Sequence, residues 1–458
     1  MHHFPVTPPT SPRALPVSSE SKPPQRHHTE IAPVNLRFTF KPAAITYPKT
    51  ANQISEIVKL GAVQNLPVVA RSGGHSYIAN GLGGRDGALV VDLRNFNKIT
   101  INSSKGTALI ESGNRLGDVA LALGKAGRGL PHGNCPYVGI GGHAGVYSIE
   151  RNFSVGAYMA TAYGGFGYAS RMWGLTLDTI VAANIVLANG TVVRSTRQDY
   201  PDLFWSLRGS AGSFGITTFI EVTTFPSPAS ATAFQYDWDL NATSAASGLS
   251  AFQSFVQSSN LPSHFGAVAN LWKGSKPDSL TFSISGAWYA PVQALNATLA
   301  PLLRYMPKPR TSFKTGSYLD ITAFLSDGSL DTKSKPDSQD TFYAKSLMTP
   351  EKSPISDTAL QAFTRYMVDK GNPSPLVRNN LVSKLKLWYV QVELYGGKNS
   401  AVNAVHADET AFSHRSSTFA IQFYASSGSR PFPDNGLRFM DDMVETLTSR
   451  SPKDWDYG

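Results

Sequence analysis

The sequence is poor in several features, and each shortage excludes a class of protein. It has one cysteine, Cys135, in 458 residues, which excludes an internal disulfide. No apolar run reaches the roughly 18–20 residues that a membrane span needs, so no membrane partner is expected. The net charge is +9, but no basic run or basic helix accompanies it, so no nucleic-acid partner is expected. Zinc-ligand spacing, a Walker motif and a nucleophile elbow are also missing, and no metal site is expected.

Length and composition indicate a globular chain with more than one structural unit. The chain is too long for one ordinary core, and its 41% hydrophobic and 16% charged content is ordinary for a soluble domain. Residues 1–36 are rich in Pro, Ser and His and predict a disordered amino-terminal arm. The Phe-Pro-Ser-Pro segment at 225–228 predicts a linker. We therefore expect one module at 37–227 and a second at 228–458.

Periodicity predicts an α+β fold. In the first module, capping-box spacing from Thr50 to Gln53 opens an apolar helical stripe, and the Asn189-Gly190 pair joins two predicted strands in a hairpin. In the second module, the alternation in 280–289 and 387–394 predicts an antiparallel sheet with helices packed on it.

The segment Arg71–Tyr77 contains two glycines after a predicted strand. Glycines there let the backbone turn tightly and bring its N–H groups against a phosphate, with His75 beside the bound ligand. Glycine-rich turns are common and a lone histidine is more often structural, so by itself this segment leaves both interpretations open.

A second glycine-rich segment, Gly133–His143, contains Cys135 beside a proline. A lone cysteine is ordinarily a small buried hydrophobe, but such a residue is flanked by apolar strand or helix residues, which this one is not. Gly139–Ala144 matches G-x-G-x-x-A, yet no strand leads into it, which argues against a dinucleotide fingerprint. A third glycine-rich segment follows at 163–168.

Together these segments resemble the vanillyl-alcohol-oxidase (PCMH-type) flavoproteins, in the berberine-bridge-enzyme-like branch, and most closely the fungal gluco-, chito- and xylo-oligosaccharide oxidases. The likeness runs from about residue 35 to the end of the chain and is most specific at 71–77, 133–143, 163–175 and 201–216. It implies a two-part FAD-binding domain and a substrate domain with an antiparallel sheet flanked by helices. It also implies bicovalent FAD, with His75 on the 8α-methyl group and Cys135 on ring carbon 6.

The resemblance implies further site residues. Tyr77, Tyr389, Gln391 and Gln422 would bind substrate, and Glu393 would polarise a catalytic tyrosine. Without the resemblance, the favoured interpretation of the polar residues of 387–394 is the outward face of a half-buried strand. The remaining residues implied at the cofactor are Arg71, Ser72, Gly73, Gly74, Ser76, Gly139, Gly141, Gly142, His143, Gly165, Gly215 and Ile216.

The implied reaction is oxidation of a small carbohydrate at its anomeric carbon. Hydride passes to the flavin and then to O₂, giving H₂O₂ and a lactone that hydrolyses to an aldonic acid. The resemblance also implies a monomeric, secreted fungal enzyme, although no signal peptide is visible. An FAD-linked oxidase of a fungal secondary metabolite and an inactive truncated relic remain as alternatives.

The sequence departs from the family pattern at two places. It stops at Gly458, before the tyrosine-bearing Asn-Tyr-x-Asp-Pro segment that the family carries, so the base tyrosine is expected to be missing. It also has about 17 extra residues between Gly142 and the third glycine-rich segment, which predicts an insertion at 145–161.

Overall fold

A computed structural model describes residues 32–144, 164–258, 261–373, 381–451 and 455–457. Residues 1–31 of the predicted arm and the predicted insertion at 145–161 lie outside these ranges. Asn35, within the range predicted as arm, is buried, and its side-chain amide donates to the carbonyl oxygens of Tyr77 and Phe342 at 2.9 and 3.1 Å. The chain at Asn35 is therefore part of the folded unit.

The first half of the chain mixes short strands and helices. Its elements are β1 (Ala44–Thr46), α1 (Ala51–Val63), β2 (Val68–Arg71), β3 (Leu89–Asp92), β4 (Ile99–Asn102), β5 (Thr107–Glu111), α2 (Leu116–Lys125), β6 (Arg128–Gly129), α3 (Ile140–His143), α4 (Ser170–Trp173), β7 (Ile180–Val186), β8 (Val192–Ser195), α5 (Pro201–Ser210), β9 (Ile216–Thr223) and β10 (Phe225–Pro226). Short 3₁₀ turns span Asn80–Leu82, Thr176–Thr179 and Ala211–Ser213.

The second half has longer strands. Its elements are β11 (Ala231–Leu240), α6 (Ala242–Val256), β12 (Phe265–Lys273), β13 (Leu280–Trp288), α7 (Gln293–Leu303), β14 (Arg310–Gly316), α8 (Tyr318–Leu325), β15 (Phe342–Pro350), α9 (Asp357–Tyr366), β16 (Leu387–Leu394), β17 (Ser417–Ser426), α10 (Asp434–Thr448) and β18 (Asp456–Tyr457). A π-helical turn, Met367–Gly371, continues α9. None of the described helices has the length and the apolar run needed to cross a bilayer.

Two sheets organise the first half. β1, β3 and β2 form a parallel sheet, and β4, β5, β9, β7 and β8 form an antiparallel one in that order. The predicted start of α1 is confirmed, because the Thr50 hydroxyl accepts the Gln53 backbone N–H at 3.2 Å. The predicted Asn189-Gly190 hairpin is confirmed as the β7–β8 pair.

One antiparallel sheet dominates the second half. Its order is β14-β11-β13-β12-β16-β17-β15-β18, and every neighbouring pair is antiparallel. Helices α6, α9 and α10 cover one face through Phe252, Phe363 and Phe439. This arrangement confirms the α+β class, since the alternating pattern buries one side of each strand under helices.

The other face of this sheet turns towards the first half. Met348 and Ala420 belong to the same buried cluster as Ile110 and Val222 of the five-stranded sheet. The two halves therefore share a core, and the polar residues of this second face lie at their junction.

A buried arginine on α4 ties this junction together. The Arg171 guanidinium donates to the carbonyl oxygens of Pro262, Phe265, Gly396 and Lys398 at 2.7 to 2.9 Å. Burial lowers its pKa to about 10, so the group stays charged at neutral pH. Four charge-assisted hydrogen bonds then compensate for its loss of hydration.

The segment predicted as a linker begins as a paired strand. β10 pairs with β6, and the Phe225 ring stacks on Trp173 with 4.9 Å between ring centroids. Ser227 then donates its backbone N–H to the Gly127 carbonyl at 3.0 Å. The backbone of this segment and the Phe225 ring thus have partners elsewhere in the first half, which the Pro-rich composition did not indicate.

Candidate active site

The two glycine-rich segments of the first half meet at Gly73 and Gly139. A Cβ atom on Gly73 would lie 2.8 Å from the Cα of Gly139 and 2.9 Å from the carbonyl oxygen of Tyr137. Ser72 strengthens the contact, because its hydroxyl donates to the Ser112 carbonyl in the same cluster. Only glycine permits backbones to pack this closely.

His75 follows this contact and is almost fully buried. Its Nε2 lies 2.6 Å from the Oδ2 of Asp337, and its side chain is 5% exposed. Among the described residues, no group makes a hydrogen bond to its Nδ1. A buried ring nitrogen without a partner is costly unless a ligand completes it, so Nδ1 marks a binding position.

Cys135 lies on the loop that ends at Gly139. Backbone hydrogen bonds tie this loop to the start of α2, from Leu116 N–H to the Val138 carbonyl and from Gly117 N–H to the Pro136 carbonyl, both 2.9 Å. Burial raises the pKa of the Cys135 thiol to about 11, and the Asp337 carboxylate adds to this rise. Asp337 therefore lies near both His75 and Cys135.

The third glycine-rich segment joins the same cluster. A Cβ on Gly167 would lie 2.6 Å from the carbonyl carbon of His132, just before the Cys135 loop. Gly165 has a φ of +86°, a left-handed conformation, and its carbonyl accepts the Thr176 N–H at 3.0 Å. Three segments that are separate in sequence thus pack against one another, and we call them the glycine cluster.

Several residues predicted at the cofactor hold the segments of the glycine cluster in place through hydrogen bonds and an ion pair. His143 is buried and its Nε2 accepts the Gly133 N–H at 3.2 Å, which fixes the Cys135 loop. Arg71 pairs with Asp92 at 2.8 Å. The Ser76 hydroxyl accepts the Asn80 N–H at 3.1 Å.

Gly74, Gly141 and Gly142 belong to the glycine cluster, whereas the atoms nearest to a Cβ on Gly215 are those of Ile185 and Val186. Gly74 has a φ of +76° and faces the Arg71 guanidinium, and Gly141 packs on Ser112. Nothing described lies within 4 Å of a Cβ on Gly142. Gly215 precedes β9, and the Ile216 side chain packs in a core cluster with Ile54, so only the backbone of Ile216 could contact a ligand.

The predicted substrate residues share one face of the eight-stranded sheet. Residues directly opposite each other on neighbouring antiparallel strands point to the same side. Gln391 lies opposite Asn270 on β12 and Gln422 on β17, and Gln422 lies opposite Ser346 on β15. These four side chains form a polar row across four strands. Within it, the Gln391 side-chain amide donates from Nε2 to the side-chain Oδ1 of Asn270 at 3.0 Å.

An aromatic patch adjoins this polar row. Tyr389 stacks on Tyr424 with 4.8 Å between centroids and 17° between planes. Phe342 contacts Tyr424 on one side and Tyr77 on the other, at 5.1 and 4.9 Å. Since Tyr77 is two residues from His75, the aromatic patch connects the glycine cluster with the polar row.

Glu393 lies on the same face, two residues beyond Gln391. It is 1% exposed, and no described group makes a hydrogen bond to either carboxylate oxygen. Burial raises its pKa to about 8, so at neutral pH the carboxyl is mostly protonated. The nearby Glu393 charge also contributes, after burial, to the raised pKa of Tyr168, whose hydroxyl is hydrogen-bonded to Ser285.

Comparisons with known proteins identify the family. A family model described as an FAD binding domain matches residues 42–152. The glucooligosaccharide oxidase of Sarocladium strictum is 33% identical over 92% of this chain and 79% of its own length. The chain belongs to the berberine-bridge-enzyme-like FAD-linked oxidases. It is therefore an FAD-dependent oxidase of the vanillyl-alcohol-oxidase type, as the sequence predicted.

Two solved oxidases share its structure. The carbohydrate oxidase of Microdochium nivale, in complex with a substrate analogue, superposes with a TM-score of 0.83 at 30% identity over 96% of this chain and 87% of that one. Glucooligosaccharide oxidase from Acremonium strictum, which carries 6-S-cysteinyl, 8α-N1-histidyl FAD, gives a TM-score of 0.82 at 30% identity over 96% and 86%.

The residues present fit the attachment of an FAD ring. The buried Nδ1 of His75 and the thiol of Cys135 are two nucleophiles in the glycine cluster, and the Asp337 carboxylate lies near both. Sequence reasoning missed Asp337 and Tyr168. Asp337 lies in a polar loop, and Tyr168 ends a glycine-rich turn, so neither carries a pattern that would single it out.

We predict that Gly139→Ala lowers the FAD content of the purified protein about tenfold. The new methyl group would collide with the Cα of Gly73 and separate the two segments, at a cost of about 1–3 kcal/mol. Gly142→Ala is the matched control, because a Cβ there meets nothing described within 4 Å. The ratio of flavin to protein absorbance measures the effect, and equal losses in the two variants would contradict it.

We also predict that Glu393 makes folding stability fall as pH rises. Its folded pKa of about 8 lies above the unfolded value, so between pH 4.5 and 8 the unfolded state ionises while the folded state keeps its proton. Stability relative to Glu393→Gln should drop by about 2–4 kcal/mol from pH 5 to pH 8, since one pKa unit is worth about 1.4 kcal/mol. Urea unfolding at both pH values measures this difference. Glu445→Gln, at an exposed position of α10, should leave the slope unchanged, and a parallel pH dependence in Glu393→Gln would refute the assignment.

Proposed function

We propose that this oxidase holds FAD by covalent bonds from both His75 and Cys135 and oxidises a carbohydrate at its anomeric carbon. The observation that carries the proposal is the joining of two features. The glycine cluster, which contains two nucleophiles, is connected through Tyr77 to a sheet face with an aromatic patch and a polar row. Aromatic rings and amide side chains are what a pyranose needs, because its C–H faces stack and its hydroxyls exchange hydrogen bonds.

Each half of the site has its own chemical task. When bound, FAD supplies the acceptor for the hydride that leaves the anomeric carbon. Gln391, Gln422 and Asn270 would orient the sugar hydroxyls, and the Tyr389–Tyr424 pair would support the ring face. Glu393 would exchange the proton of the reacting hydroxyl as an acid–base group. No described group makes a hydrogen bond to its carboxyl oxygens, so they are available to hold or accept that proton.

The relatives support a sugar over other alcohols. Similar proteins over nearly the whole chain are named gluco-, chito- and xylo-oligosaccharide oxidases. We propose O₂ as the electron acceptor, with H₂O₂ and a lactone as products, and a monomeric enzyme.

We also propose an extracellular location. Four asparagines of the described residues begin an Asn-x-Ser/Thr sequence, the acceptor for N-glycosylation, and all four are exposed: Asn102, Asn189, Asn241 and Asn296. Recovery of the enzyme from culture medium rather than from cells tests the location.

We expect H₂O₂ release from cellobiose, xylobiose or chitobiose, and none from cellobiitol. The alditol keeps one pyranose and lacks the anomeric hydroxyl, so it separates anomeric oxidation from oxidation of any other alcohol. Gln391→Leu should raise KM about tenfold, as expected for one lost hydrogen bond of about 1.4 kcal/mol in the polar row. Gln361→Leu, at an exposed position of α9, is the control.

A peroxidase-coupled assay with a panel of sugars and aromatic alcohols decides among the alternatives. Turnover of aromatic alcohols without sugars would favour a secondary-metabolite oxidase. A flavin-loaded protein that oxidises nothing in the panel would favour an inactive relic.

A further inference from the structure

The carboxylate of Asp337 lies between the two residues proposed to attach the cofactor. Its Oδ2 is 2.6 Å from the Nε2 of His75, and its charge contributes to the raised pKa of Cys135. The Asp337 side chain is 22% exposed and that of His75 is 5% exposed. The hydrogen bond is therefore largely shielded from water, where it is stronger than at a surface.

The loop that carries Asp337 is anchored on the Cys135 segment. The Tyr137 hydroxyl donates to the Lys335 carbonyl at 3.1 Å, and the Arg115 guanidinium donates to the Thr332 carbonyl at 3.1 Å. A Cβ on Gly117 would also strike the Leu330 backbone. The contacts that place Cys135 thus also place Asp337.

A carboxylate on Nε2 decides which ring nitrogen of His75 is available. The carboxylate accepts a hydrogen bond from Nε2–H, so the proton of the neutral imidazole stays on Nε2 and the lone pair on Nδ1. Nδ1 is the buried nitrogen to which no described group makes a hydrogen bond. Second-sphere carboxylates fix histidine tautomer and orientation in the same way at metal and protease sites.

We propose that Asp337 is the positioning residue for covalent flavin attachment at His75. It holds the His75 ring in its Nε2–H tautomer and orients Nδ1 towards the flavin. It also stabilises the positive charge that the imidazole gains when Nδ1 forms a bond. The inference deepens the proposed function and rests on its histidyl attachment.

Attachment of His75 to the flavin is a two-electron oxidation, and O₂, the electron acceptor of the proposed reaction, can accept these electrons. The Nδ1–carbon bond forms at the 8α-methyl group as one C–H bond of that group breaks. The two electrons of that bond reduce the ring, which also takes up the methyl proton. The imidazole, alkylated at Nδ1, passes its Nε2 proton to Asp337 and on to the reduced ring. O₂ then removes two electrons and two protons as H₂O₂ and restores the oxidised ring, now attached.

Acid precipitation of the FAD-loaded protein tests the proposal, because it separates covalent from released flavin. In Cys135→Ala, His75 is the remaining attachment, and the flavin should stay with the precipitate. Adding Asp337→Asn, which keeps the size of the side chain and removes its charge, should lower the covalent fraction at least tenfold while flavin still binds. In His75→Ala, the same substitution should not lower attachment at Cys135, because the Asp337 charge raises the pKa of the thiol and its loss makes the thiolate easier to form. Asp337→Glu should restore part of the histidyl attachment.

Asp327→Asn in the Cys135→Ala background is the matched control. Asp327 is exposed, also adds to the raised pKa of Cys135, and has a φ of +54° that asparagine tolerates. It should leave the covalent fraction unchanged.

Three outcomes would overturn the proposal. One is full retention of covalent flavin by Asp337→Asn in the Cys135→Ala background. Another is loss of bound flavin from the covalent and released fractions alike, which would assign Asp337 a merely structural role. Release of flavin by Cys135→Ala itself would remove histidyl attachment, and with it the bicovalent part of the proposed function, whereas H₂O₂ release from the sugar panel tests the oxidation separately.

Discussion

The close approach of Gly73 and Gly139 is the constraint on which the site depends. It joins the turn after β2 to the loop before α3, so the glycine cluster contains both an imidazole and a thiol that are 60 residues apart in sequence. A side chain at either position would separate the two segments. The supporting residues all act on this geometry: His143 and the start of α2 hold the cysteine loop, while Arg71 and Asp92 hold the histidine turn.

The second half contributes a surface that is chemically different on its two faces. The face under α6, α9 and α10 is apolar and supplies the main core. The face towards the first half has the row from Asn270 to Ser346 and the buried carboxyl of Glu393. Burying these groups costs stability, because they lose hydration and Glu393 gains no described partner in return. Such a cost is typical of a binding site and is offset by the large apolar face and by the hydrogen bonds of Arg171.

Much of the local structure could be predicted from the sequence, because the signals are local. The Thr50 cap, the β7–β8 hairpin and the antiparallel alternation of β13 and β16 all agree with the structure. The attachment residues came from motif resemblance, and their roles stay predictions. Asp337 could not be found, because its meaning comes from a contact across 262 residues with His75. The pairing of β10 at the start of the Pro-rich 225–228 segment could not be predicted for the same reason, since its strand partner β6 is nearly 100 residues away.

The most direct test of the account is the mass of one peptide pair. Tryptic digestion of the purified holoenzyme produces peptide 72–85, with His75, and peptide 129–151, with Cys135. If both residues attach the flavin, both peptides appear in a single species whose mass is the sum of the two peptides and one FAD, less the hydrogens lost in forming two bonds. Detection of both peptides unmodified, in a protein that nevertheless binds FAD, would contradict it.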